Sequence, residues 1–338
     1  MSNKKNVAIV GATGAVGEAM LSILAERKFP VAELALLASE NSEGKRLEFN
    51  GKHIAVQRLD QFDFSNTDIG LFSAGGAVSE KYAPIAASQG CVVIDNTSHF
   101  RFDDDIPLIV PEVNADELKK PLARNIIANP NCSTIQMVVA LKPIHDAVGV
   151  SRVNVATYQA VSGAGNKGVK ELAGQTAQLL NGQDIEIKAF SHQIAFNALP
   201  QIDTFQDNGY TYEEMKMVWE TKKIFADDSI EVNPTCVRIP VFYGHSEAVH
   251  IETCEPISAE AVKALLKAAP GIEVVDELRD GGFPTAISEA TGKDGVFVGR
   301  IRKDISHPSG INLWIVSDNV RKGAALNSVQ IAEILLNQ

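Results

Sequence analysis

The sequence predicts an α/β protein of two domains: a doubly wound parallel sheet first, then an α+β domain with a mixed or antiparallel sheet. Three observations carry this expectation. The chain has 338 residues, more than one ordinary hydrophobic core accommodates. Up to about residue 130, short all-apolar runs alternate with helical stretches, the pattern of parallel strands covered by helices on both faces. Beyond Val150 the apolar runs become longer and more alternating, as in a sheet with two unlike faces.

Residues 7–10 (Val-Ala-Ile-Val) form the first expected strand, and it ends at Gly11-Ala12-Thr13-Gly14-Ala15-Val16-Gly17. Met20, Leu21, Ile23 and Leu24 then recur at helical spacing. Strands are expected at residues 34–38, 69–72, 92–94 and 108–110, with a helix over 79–89. The second part reads as strands at 153–159, 237–242, 248–252, 295–301 and 311–316, with helices at 168–180 and 259–268. Residues 323–336 read as an amphipathic helix that packs back on the first domain. The expected domains are therefore 1–130 with 320–338, and 131–319.

Composition narrows the function. Hydrophobic residues make up 45% of the chain, no apolar run reaches the roughly 18 residues of a membrane span, and the start lacks a signal-type apolar stretch. The expectation is a globular cytoplasmic protein without a membrane partner. Cys91, Cys132, Cys236 and Cys254 are scattered without a Cys-x-x-Cys spacing, which argues against a metal site or a disulfide framework. A net charge of −11 without a basic cluster argues against nucleic acid as the main partner.

Glycines at 11, 14 and 17, directly after the first strand, allow a tight turn, close approach of a pyrophosphate, and a helix start whose N–H groups face the anion. A purely structural turn is the competing reading, but the strand–turn–helix context favours a dinucleotide. The loop Ser39-Glu40-Asn41-Ser42-Glu43-Gly44-Lys45-Arg46 bears on the choice between NAD and NADP. Its serines and cations suit a 2′-phosphate, Glu40 opposes one, and a solvated charged loop is the third reading.

Asn129-Pro130-Asn131-Cys132-Ser133-Thr134 places a thiol where a loop turns into an apolar helical segment. Free N–H groups and the positive end of the helix dipole favour a thiolate there, and a thiolate is a nucleophile. A buried structural cysteine is the plain alternative. Gln159 closes a strand and is followed by Val161-Ser162-Gly163-Ala164-Gly165, a loop able to lie against a ligand or simply to turn. Arg238 sits within an apolar strand and needs an anionic partner: a substrate carboxylate held bidentately or a structural glutamate. His245 is a candidate acid/base. Arg101, near the end of another strand, is placed for phosphate. Glu220 and Lys223 share a face if helical, which equally describes a surface ion pair.

Asn-Pro-Asn-Cys-Ser-Thr, the opening Gly-Ala-Thr-Gly-Ala-Val-Gly, the Arg238-Ile-Pro-Val and His245-Ser-Glu segments, and Ser317-Asp318-Asn319-Val320-Arg321-Lys322-Gly323 together resemble the bacterial aspartate-semialdehyde dehydrogenase family over essentially the whole chain. The resemblance implies a Rossmann-like first domain and a catalytic and dimerisation domain. It also implies reversible, NADP-dependent reductive dephosphorylation of aspartyl phosphate to aspartate semialdehyde, on the path to lysine, threonine and methionine. It implies Cys132 as nucleophile and thioester carrier, Gln159 as orienter of the acyl group, and His245 as acid/base. Arg238 and Glu220 would hold the substrate's carboxylate and ammonium; Arg101, Asn131 and Lys223 would hold phosphate. Gly11, Thr13, Gly14, Ala15, Val16, Gly17, Ser39, Asn41, Ser42, Ser162, Gly163 and Asn319 would line the cofactor. A homodimer, with a tetramer as the larger option, is the implied assembly. One departure stands out: Asn41 replaces the arginine that family members often carry, which leaves NAD open beside NADP.

Overall fold

A computed structural model of the chain describes residues 4–336; the expected domain ends at 1–3 and 337–338 lie outside them. The chain divides into two compact units, Met1–Pro130 with Ala324–Gln338, and Asn131–Gly323.

The first unit is built on a seven-stranded sheet. Its strands are β1 (Lys5–Val10), β2 (Val31–Ala38), β3 (Arg46–Phe49), β4 (Lys52–Arg58), β5 (Ile69–Phe72), β6 (Val92–Asp95) and β7 (Ile126–Ala128), in the order β3-β4-β2-β1-β5-β6-β7. All neighbours are parallel except the β3–β4 hairpin. The reversal between β2 and β5 around β1 is the topological switch point at which doubly wound sheets bind ligands. Helices α1 (Ala15–Glu26), α2 (Gly76–Ser88) and the single turn α3 (Pro111–Asn114) follow strands or loops of this sheet. Strands such as Ile69–Phe72 are buried throughout, because helices cover both faces and no residue is left to alternate toward water.

The hairpin was not anticipated. Asn50 and Gly51 both take positive φ, 49° and 76°, the backbone of the tight primed turn that Asn-Gly favours. The strand expected at 108–110 is not one: Leu108 makes only an isolated bridge to Ala128. Pro107 and Pro111 flank it, and proline cannot donate to a ladder.

The second unit opens with α4 (Cys132–Val148) and contains β8 (Val150–Gln159), α5 (Asn166–Leu180), α6 (Tyr212–Phe225), β9 (Glu231–Arg238), β10 (His245–Thr253), α7 (Ala259–Ala268), β11 (Ile272–Val274), β12 (Val296–Lys303) and β13 (Gly310–Ser317). Its six-stranded sheet runs β11-β12-β13-β10-β8-β9. The sheet is mixed: β8–β9 and β11–β12 are parallel, the other pairs antiparallel. The strand expected at 237–242 lies instead at Glu231–Arg238, since Pro240 has no N–H to continue the ladder. Helix α8 (Leu326–Leu336) returns the chain to the first unit, where Leu326, Val329 and Ile331 join Val7, Ile9, Met20 and Leu24 in one core. Its regular turns start three residues later than the pattern suggested, after a π-helical stretch over Arg321–Ala325.

Candidate active site and cofactor surface

In the first unit the glycine turn meets the requirements of a dinucleotide. Gly11 has φ +88°, and a Cβ there would lie 3.0 Å from the backbone of residues 73 and 74. A Cβ on Gly17 would meet the Gly11 carbonyl oxygen at 2.2 Å, so the helix can start this close to the turn only with glycine. Gly14 is the N-cap of α1 and offers no side chain to the first N–H groups, which remain available to an anion. Ala15 and Val16 supply that first turn. Thr13 Oγ1 lies 3.3 Å from Ser42 Oγ, and Lys45 Nζ also reaches Ser42 Oγ at 3.3 Å. Ser42 is buried, whereas Ser39 and Asn41 are exposed. Glu40 is engaged by Arg58 Nη1 at 2.9 Å. These residues fit a dinucleotide.

Arg101 also belongs to this unit. It is buried, and its Nη2 donates to the Asn96 carbonyl at 3.0 Å. Asn96 Oδ1 accepts from Asn129, whose own Oδ1 accepts from Asn327 of α8 at 2.7 Å. The loop carrying this guanidinium is thereby tied to the core.

In the second unit the candidate residues converge on one end of the mixed sheet. Asn131 caps α4: its Oδ1 accepts from the N–H groups of Ser133 (3.0 Å) and Thr134 (3.4 Å). Cys132 is the first residue of the helix and only partly buried. Gly323 packs against it, and a Cβ at 323 would lie 2.8 Å from the Cys132 Cβ.

Register then places the partners in a row. Gln159 pairs with Arg238 across β8–β9, and His245 with Ser317 across β10–β13. His245 Nδ1 accepts from the Ala160 N–H at 3.1 Å, which closes the gap between the two pairs. Arg238 Nη1 donates to the Ala160 carbonyl at 2.7 Å; no ion pair to it occurs among the described residues. The Gln159 amide is oriented at both ends, its Oε1 accepting from Thr157 Oγ1 (3.0 Å) and its Nε2 donating to Glu213 Oε1 (2.9 Å). A Cβ on Gly163 would lie 2.8 Å from Arg238 Nη1, so a side chain there would displace the guanidinium. Ser162 and Asn319 meet directly, Asn319 Nδ2 donating to Ser162 Oγ at 3.0 Å, while Asn319 Oδ1 accepts from the Gly244 N–H.

The acidic member of this row is one the sequence reading passed over. Glu213 accepts from Gln159 and from Asn131 Nδ2 (3.0 Å), and pairs with Lys216 Nζ (3.1 Å), which also reaches Asp203 (2.9 Å). Glu220, expected there, is fully buried, and its Oε2 accepts from the Asn131 backbone N–H at 2.6 Å; it is no surface ion pair. Lys223 lies two turns beyond Lys216, about 10 Å along the axis, in the last turn of α6. The missed signal was Thr211-x-x-Glu214, a capping box that marks the start of α6; from it Glu213, Lys216 and Glu220 fall on one stripe.

Electrostatics follow from burial. His245 is fully buried, and desolvation, then the Arg238 charge, hold its pKa down at about 3 against the opposing Glu213. The ring is neutral at physiological pH. Burial alone would raise Glu213, but Lys216, the hydrogen bonds from Gln159 and Asn131, and Arg238 hold it at about 2. Arg238 is lowered by burial, with Glu213 and Cys132 opposing.

A two-unit chain with a nucleotide surface in one unit and a thiol, histidine and arginine set in the other defines a semialdehyde dehydrogenase. Family models agree: residues 6–121 match the NAD binding domain of semialdehyde dehydrogenases, and residues 141–322 their dimerisation domain. The chain is 67% identical over 336 residues to aspartate-semialdehyde dehydrogenase 2 of Vibrio cholerae, covering 99% of each. It is 63% identical to the aspartate-semialdehyde dehydrogenase of a Shewanella strain, again over 99% of each. A crystal structure of the Vibrio cholerae aspartate semialdehyde dehydrogenase II complexed with ASA superposes with a TM-score of 0.98 at 66% identity, covering 100% of this chain and 99% of that one. The Candida albicans enzyme, solved with NADP, superposes at 0.76 with 26% identity, covering 98% of each chain. The chain belongs to the aspartate-semialdehyde dehydrogenase family. It is an oxidoreductase that acts on an aldehyde group, of the phosphorylating kind.

Proposed function

We propose that the chain interconverts L-aspartate 4-semialdehyde, phosphate and NADP with L-aspartyl 4-phosphate and NADPH through a Cys132 thioester, in lysine, threonine and methionine biosynthesis. The observation that carries this reading is the row Arg238–Gln159–His245 on one sheet end, in the same unit as a thiol at a helix start.

In the oxidative direction the Cys132 thiolate adds to the aldehyde carbon and the carbonyl oxygen becomes an oxyanion. The positive end of the α4 dipole stabilises it. The Ala160 N–H on Nδ1 places the proton of the neutral His245 ring on Nε2, so the ring meets that oxygen as a donor and exchanges its proton. A dinucleotide held at the Gly11–Gly17 turn would supply the hydride acceptor, and loss of hydride from the carbon that Cys132 holds would leave a thioester. Gln159, fixed at both ends of its amide, orients the acyl group. Phosphate then attacks the thioester carbon and Cys132 leaves as thiolate.

Substrate recognition is read from the same row. Arg238, without an ion pair among the described residues, takes the α-carboxylate. Glu220 takes the ammonium, its Oε2 also accepting from the Asn131 backbone N–H. Lys223 takes the phosphate with Arg101 and Asn131, since Lys216 is already set between Glu213 and Asp203. A free ammonium calls for a carboxylate partner such as Glu220 and an acetylated amine does not, which disfavours N-acetylglutamyl phosphate as the substrate. Ser42 and Lys45 favour NADP over NAD despite Asn41.

The face of the mixed sheet opposite the row carries Ala156, Tyr158, Ala248 and Trp314, partly exposed, with the Tyr158 and Trp314 rings 5.6 Å apart. With Asn154, His250 and Asn312 farther along the same side, this face fits a homodimer interface. No described helix is long and apolar enough to cross a membrane; the biosynthetic role supports a cytoplasmic location.

The test is phosphate-dependent reduction of NADP with aspartate semialdehyde, run beside NAD. Cys132→Ser should abolish it while leaving cofactor affinity nearly intact. Turnover by that variant would refute the thioester route.

A further inference from the structure

Two residues along β10 from His245, on the same face, sits Glu247. Strand register surrounds it: Thr157 of β8 and Ile315 of β13 are its lateral partners, and Cys236 of β9 lies beyond Thr157. Cys236, Thr157, Glu247 and Ile315 are all fully buried. They form a second tier directly behind Arg238, Gln159, His245 and Ser317. Helix α4 has the matching step, because Gln136 lies one turn after Cys132 and points the same way. Gln136 is also fully buried. The spacings agree: one helical turn is about 5.4 Å and two strand residues about 6.6 Å.

This second tier holds an unsolved polar problem. Both Glu247 oxygens and both Gln136 side-chain heteroatoms are buried without a hydrogen-bond partner. Four such atoms in one place are costly. Helix α4, which carries Gln136, packs on β10, which carries Glu247, and burial raises the Glu247 carboxyl well above the usual carboxylate range, with the Gln136 amide as the opposing influence. A carboxylate could use the amide N–H but would repel the amide oxygen. A carboxylic acid satisfies both, its O–H donating to Gln136 Oε1 and its carbonyl accepting from Gln136 Nε2.

We infer that Glu247 is kept as a neutral carboxylic acid that clasps Gln136 by two reciprocal hydrogen bonds, tying the nucleophile helix to the histidine strand and setting the spacing of Cys132 and His245. Glu247 is a positioning residue and touches no substrate. The catalytic consequence rests on Cys132 and His245 being the reacting pair; the clasp itself does not.

Three measurements test it on the full-length enzyme. The infrared difference between wild type and Glu247→Gln at neutral pH should show the carbonyl stretch of a protonated carboxylic acid; a carboxylate band alone overturns the inference. Glu247→Met and Gln136→Met should each lower kcat by up to about 10²-fold, the cost of about 1 Å of misplacement, with KM nearly constant, and the double variant should lose little more than either single one. Additive losses overturn it. Glu247→Gln, able to form the same two bonds, should recover most of the kcat, and a loss equal to that of Glu247→Met overturns it. If the methionine variants fail to fold, the infrared band and Glu247→Gln still decide. An absent NADP-linked activity in wild type would refute the proposed function and leave the infrared result standing.

Discussion

Glu213 and Glu220 lie seven residues apart on one stripe of α6, and what separates them is the company each keeps. Glu213 has Gln159, Asn131 and Lys216 around it, while Glu220 holds a backbone N–H. Glu220→Gln should raise KM for the semialdehyde by about tenfold or more, the loss of one charge-assisted contact of about 1.5–3 kcal/mol. Glu213→Gln, which removes a carboxylate already paired inside the protein, should act mainly on stability. Steady-state kinetics beside thermal melts separate the two, and equal KM effects would contradict the assignment. His245→Ala should slow the chemical step by about 10²–10⁴; a change confined to KM would argue against its role at the reacting oxygen. Linkage gives a further expectation. His245 has its folded pKa lowered from 6.5 to about 3, so the unfolded chain binds more protons between these values, and stability falls as pH drops from 6.5 toward 3. Glu213, lowered from 4.5 to about 2, acts in the same direction over the lower part of that window. Denaturant midpoints across pH 4–7, with Glu213→Gln as comparison, check the sign.

At the scale of elements, two short segments carry much of the chemistry. The first turn of α4 is capped by Asn131, whose loss would cost about 1 kcal/mol in an ordinary helix. Here the same side chain also contacts Glu213, so Asn131→Ala should lower both melting temperature and phosphate use, measured as KM for phosphate. The loop from Ser39 to Arg46 is the second segment. With Glu40 held by Arg58 and Ser42 within reach of Lys45, Lys45→Gln should reduce kcat/KM for NADP more than for NAD, and Asn41→Arg should shift the ratio further toward NADP. No change in the ratio for either variant would remove this loop from cofactor choice. The Asn50-Gly51 turn and the Thr211–Glu214 capping box show that local chemistry was readable here beyond the apolar pattern, since both are written in adjacent residues. The end of β9 was not readable from hydrophobicity: the apolar run continues past Arg238, and Pro240 interrupts it.

For the whole molecule, the mixed sheet turns one face to the catalytic row and the other, with Ala156, Ala248, Tyr158 and Trp314, outward. A charge in the middle of that outward face should oppose self-association. Ala248→Glu is expected to shift the protein from dimer to monomer in sedimentation experiments; an unchanged dimer would place the interface elsewhere.

The sequence by itself determined the two-domain α/β class, the glycine turn after the first strand, and the thiol at a helix start, because each is specified by neighbouring residues through strand period, backbone freedom and helix ends. It also marked Gln159, Arg238 and His245 as unusual, polar groups set in or beside apolar strands. Only the tertiary structure decided which of them meet. Strand register aligns Arg238 with Gln159 and brings His245 against Ala160, and the packing of α6 sets Glu213 against Gln159 and Asn131. It likewise packs α4, which carries Gln136, on β10, which carries Glu247. These contacts join residues about 50 to 110 positions apart in the chain, and no local rule of spacing or propensity carries information over such separations.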